Sequence, residues 1–134
     1  MTLANRKTVE SRGRSAFGTI IALLAGPIVW AAHLGVVYFL QSMLCAHGSA
    51  SVTVAGMGLV PAIVVLATVV ALAILAIVLL APARVNRALG ATDWRPSAMA
   101  FHTRVMIAMA WLSAFGVLWG GLAAFILPAC APLR

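Results

Sequence analysis

Across residues 15–83 of this chain there is no lysine, arginine, aspartate or glutamate, and across residues 105–133 there is again none. A folded domain in water needs a charged, solvated surface, so a sizeable soluble domain is excluded. Acidic residues number only two, Glu10 and Asp93, and neither lies in an apolar run. A proton- or cation-coupled transporter would therefore lack the intramembrane carboxylate that ordinarily carries exchange. Also missing are a Ser/His/Asp set, a Cys-x-x-Cys pair, a His-Glu metal motif and a glycine-rich phosphate loop, so a standalone enzyme is not expected. No basic face interleaved with aromatics is present to read bases, and nucleic acid is not an expected partner.

What remains is oil. Of 134 residues 64% are hydrophobic and 8% charged, and the mean hydropathy is +1.12. A spanning helix needs about 20 mostly apolar residues, and three segments qualify, at about 17–44, 52–81 and 99–127. The expected fold is all-α, a polytopic membrane protein with three transmembrane helices: a basic arm over 1–16, mobile or a short surface helix, then one transmembrane domain over 17–134. The first apolar segment is too long for a signal-peptide core and carries Trp30, His33, Tyr38 and Gln41, so it is read as retained.

Eight of the nine basic residues fall in two places, Arg6, Lys7, Arg12 and Arg14 before the first helix and Arg84, Arg87, Arg95 and Arg104 around the second link. The positive-inside rule then puts the N-terminus and the 82–97 loop in the cytoplasm, and the 45–51 loop and the C-terminal tail on the opposite side. Arg84, Arg87, Trp94, Arg95 and Arg104 are expected at anionic phospholipid headgroups. Cys45 and Cys130 share the other face. A disulfide between them is reasonable in an oxidising periplasm, with two free thiols the alternative.

At 100° per residue Thr19, Gly26, Trp30, His33, Val37 and Gln41 lie within ~40° of one line down the first helix. Pro27 removes a backbone hydrogen bond beside this stripe, which predicts a kink there. An ionisable ring in a bilayer is costly, so His33 is expected to face protein or water and bond to a partner such as a backbone carbonyl, Ser113 or a group on another subunit. Ligation and titration stay open. Two-histidine ligation of one haem is disfavoured, because His33 and His102 differ in depth by roughly 20 Å and His47 lies about 21 Å beyond His33.

Met43, Cys45 and His47 read M-x-C-x-H and could offer soft ligands to Cu(I) with Cys130 nearby, though two such cysteines also suit a disulfide. Met99, His102, Met106 and Met109 share one side of the third helix, a pattern better suited to packing than to metal. Gly116 and Gly120, with Ser113 a turn earlier, make a small face for close helix contact. The second helix, with Thr53 and Thr68 its only hydroxyls after Ser51, reads as scaffold or as a lipid- or subunit-facing surface.

The layout GPIVWAAH in the first helix, a cysteine at its far end and LPAC after the third resembles small three-helix membrane proteins that accompany haem-copper cytochrome c oxidases in proteobacteria. That resemblance implies a non-catalytic accessory subunit in the bacterial inner membrane, at the edge of a terminal oxidase whose larger subunits hold the haem and copper. This chain would carry no cofactor of its own. Gly26, Trp30, His33, Tyr38, Gln41, Gly116 and Gly120 are then expected at subunit contacts. The alternatives are a small haem-binding or copper-delivery protein for oxidase assembly and, third, a small transporter.

Overall fold

A computed structural model describes residues 3–47, 53–54, 56–90, 96–126 and 130, with side chains described from residue 16 onward except at 54, 96–98, 124 and 125. Its elements in chain order are α1 (Leu3–Ala46), β1 (Thr53–Val54), β2 (Met57–Gly58), α2 (Leu59–Leu80), α3 (Pro82–Ala88) and α4 (Pro96–Ile126). Three helices are long and apolar enough to cross a membrane, over Ala16–Ala46, Leu59–Leu80 and Met99–Ala123. The chain is thus an all-helical, multi-pass membrane protein in its architecture.

Several boundaries differ from those expected. Helix α1 starts at Leu3 and runs unbroken into the apolar segment and through Pro27, so the basic stretch forms its first turns. Residues 3–12 hold good helix formers and no proline or glycine to stop them. The second helix begins at Leu59 instead of near 52, because Thr53 pairs with Gly58 and Val54 with Met57 in a small antiparallel ribbon. Gly56, at φ 79°, supplies the positive φ of that turn. The link between the last two spans contains α3. Proline at 82 drives Ala81 out of the helical region, to φ −131° and ψ 50°, which ends α2. Pro82 then opens α3, where its missing N–H costs nothing.

The three spans pack around a core of Ala22, Ala71, Leu75, Val78, Met106, Ala110 and Val117. Small residues set this geometry. A Cβ on Gly26 would stand 2.9 Å from both Ala110 Cα and Met109 O, so the α1 and α4 backbones nearly touch there. Higher on the same seam Trp30 lies over Gly116 and Leu34 over Gly120. The order of these pairs shows α1 and α4 running parallel, with α2 antiparallel to both. At the basic end the Leu89 carbonyl sits against Gly18. At the other end Cys45 and Cys130 form a disulfide with Cα atoms 5.6 Å apart.

Candidate functional site

The polar stripe of α1 faces the interior of the bundle. Thr19 and His33 are buried, both 5% exposed, and near the middle of the α1 span His33 reaches across to α2. His33 Nε2 and Thr68 Oγ1 are 3.1 Å apart, and Thr68 Oγ1 donates to Val64 O at 2.8 Å. A hydroxyl has one hydrogen to give. Since it goes to Val64, the Nε2–H must donate to Thr68, and in the neutral ring the bare lone pair is then on Nδ1. That Nδ1 is buried without a partner among the described residues.

The fit around this relay is tight on the α4 side. A Cβ at Gly121 would come within 2.8 Å of Thr68 Oγ1 and 3.1 Å of Thr68 Cγ2. At Gly120 a Cβ would find His33 Cε1 at 3.9 Å and Leu34 Cδ2 at 3.4 Å, ordinary contact distances. The glycine at 121 therefore lets α4 close over the His33–Thr68 pair, while position 120 has room for a methyl group. On the opposite side, between α1 and α2, a groove of about 260 Å³ is lined by His33 among apolar residues that include Ile28, Ala32, Val36, Val70 and Ile74.

His33 was expected to find Ser113, a backbone carbonyl or another subunit. Its partner is Thr68, within the same chain, while Ser113 is buried on α4. Thr68 is the residue that sequence reasoning missed, although its signal was present: it is the one hydroxyl deep inside an otherwise aliphatic α2. With Nε2 committed to Thr68 and Nδ1 enclosed, neither ring nitrogen is open to an iron in this arrangement.

The M-x-C-x-H pattern resolves into structural bonds. Cys45 is in the disulfide and so offers no thiolate. His47 Nδ1 donates to Met43 O at 2.9 Å, and its backbone N–H donates to the same carbonyl at 3.1 Å. These bonds close the last turn of α1. Among the described residues no group of three or more His, Cys, Asp or Glu side chains is placed to hold a metal ion.

Of the other residues expected at contacts, Gly26, Gly116 and Gly120 line the α1–α4 seam inside this chain. Trp30 is 40% exposed and Tyr38 76% exposed, and Gln41 is half-buried. Arg84, Arg87 and Arg104 are exposed together at the basic end; Trp94 and Arg95 lie outside the described residues. Met106 is buried in the core, whereas Met99 and Met109 are exposed, so the methionine row does not form one lined track. His102 stacks edge-on against Phe101. It also lines a cavity of about 10 Å³ with Thr19, Asn86 and Met106, enough for about one water.

No protein-family model, curated protein or solved structure matches this chain.

Proposed function

We propose that this chain is a non-catalytic accessory subunit of a respiratory complex in a bacterial inner membrane, and that the complex is a haem-copper cytochrome c oxidase. One observation carries the non-catalytic part. The side chains His33, His47 and Cys45 are occupied in structural bonds: His33 bonds Thr68, His47 closes α1, and Cys45 is joined to Cys130. The oxidase rests on the likeness of GPIVWAAH, the distal cysteine and LPAC to small oxidase-associated proteins. In this reading the chain braces larger subunits and seals them against lipid, and haem and copper belong to its partners.

Two properties of opposite ends support a cytoplasmic N-terminus and a periplasmic C-terminus. Arg84, Arg87 and Arg104 mark the cytoplasmic end, where anionic phospholipid and the positive-inside bias both favour them. The disulfide suits the periplasmic side, where thiols are oxidised. The test is to tag the chain, extract it from its native membrane in mild detergent, and record co-purifying proteins with a reduced-minus-oxidised spectrum. Stoichiometric oxidase subunits with a-type haem bands are expected. Recovery of the chain alone, carrying its own haem or copper, would replace this reading with the haem-binding or copper-delivery alternative.

A further inference from the structure

Among the described residues His33 Nδ1 has no hydrogen-bond partner and none is found for the Trp30 indole N–H, and the two differ in kind. His33 Nδ1 is an acceptor sealed inside the chain. The indole N–H of Trp30 is a donor on a side chain that is 40% exposed, at the α1–α4 seam with its Nε1 edge over Gly116. Of the two side chains only that of Trp30 is exposed to a group outside the chain.

Depth decides what that group is. Trp30 lies about 21 Å from Ala16 and about 24 Å from Ala46 along the α1 span, at 1.5 Å per residue. Ester and phosphate oxygens begin about 15 Å from the bilayer centre, so lipid supplies no acceptor at this level. Water is absent there too, and an unpaired donor in hydrocarbon is costly. Tryptophan ordinarily avoids that cost by sitting at the membrane interface. Trp30 cannot slide outward, because it is fixed between turns that pack at Gly26 and at Leu34.

We infer that the α1–α4 seam at Trp30 is the docking line for a transmembrane helix of a larger subunit, and that this helix presents a Ser, Thr, Asn or Gln oxygen to the Trp30 N–H. The inference rests on the accessory-subunit reading and adds the place of contact and the chemistry of the partner. Gly116 is part of the device, because a Cβ there would stand 2.7 Å from Trp30 Nε1 and displace the indole.

The experiment compares the tagged full chain with Trp30→Phe and Gly116→Ala, all expressed in the native membrane and purified in mild detergent. Trp30→Phe keeps an aromatic ring and removes the donor. Both variants should lose about three- to tenfold in recovered partner relative to bait, the range expected for one interhelical hydrogen bond. Trp119→Phe, on an exposed part of α4, should lose none. Formation of the Cys45–Cys130 disulfide, read as resistance to thiol alkylation, reports that each variant has folded. A photo-crosslinker at Leu34 in the otherwise native chain should capture a partner span with Ser, Thr, Asn or Gln at the crosslinked level. Unchanged recovery with Trp30→Phe, or crosslinks to lipid or to a second copy of this chain, overturns the inference and leaves the accessory role standing. Recovery of the unaltered chain without any larger subunit overturns both.

Discussion

Gly120 and Gly121 are neighbours in sequence, yet adding one methyl group to each should have opposite consequences. At Gly121 the new carbon would sit 2.8 Å from Thr68 Oγ1. Thr68 cannot swing away without giving up its bonds to Val64 O and His33 Nε2. If it moves, the interhelical bond is lost, at about 0.6 to 1.7 kcal/mol, and a buried imidazole donor is left unpaired, at about 1–3 kcal/mol. If it stays, α2 and α4 must part, with an overpacking cost of about 1–3 kcal/mol. Alanine gains back about 1 kcal/mol of helix propensity over glycine. Gly121→Ala should therefore destabilise the bundle by about 1–2 kcal/mol. At Gly120 the nearest atoms are at 3.4 and 3.9 Å, so Gly120→Ala should be neutral or stabilising by up to ~1 kcal/mol. The two variants should differ by about 2 kcal/mol, roughly thirtyfold in the unfolding equilibrium. The assay is reversible unfolding of the purified protein by SDS titration in mixed micelles. In a Thr68→Ala background the cost at 121 should largely vanish, because the coupling runs through that side chain. Equal effects at the two glycines, or a Gly121→Ala penalty that persists without Thr68, would refute the relay geometry.

Three further outcomes are expected. Gly26→Ala should cost about 1–3 kcal/mol in the same titration, since its Cβ would meet the α4 backbone at 2.9 Å and no flexible side chain can give way; a stabilised variant would contradict the close α1–α4 approach. Cys45→Ser or reduction should lower stability by at most about 4–5 kcal/mol, the loop-closure limit for a separation of 85 residues, and an unchanged SDS midpoint would show that the cross-link constrains nothing in the unfolded state. In intact cells treated with a membrane-permeant reductant, an impermeant maleimide should label Cys45 and Cys130 from outside; labelling only after lysis would reverse the proposed orientation.

The three spans were legible because a run without charge can do little else but cross a membrane, and the run lengths bound the helices. The stops were less legible. Nothing in TVAGMG forces a ribbon over a helix start, since its valine, threonine and methionine suit either state and the choice is made by pairing Thr53 with Gly58. That His33 is buried could be read from the cost of an imidazole in lipid. That it bonds Thr68 could not, because the register of α2 against α1 depends on which small residues meet, and periodicity on one helix carries no information about its neighbour. The glycines of α4 were visible as a small face, but their division of labour at Trp30 and Thr68 is a property of three helices together.

The disulfide has a topological consequence. Because it joins residues 45 and 130, all of α2, α3 and α4 belong to one covalent ring, with α1 leading into it as a stem. The ring closes only once the third span has brought Cys130 to the same side as Cys45, so its closure records that every span has crossed. A protease cut between α3 and α4 would open the ring and release no fragment. A partner pulling on the end of α1 would load α4 through the cross-link as well as α2 through the chain that follows Ala46.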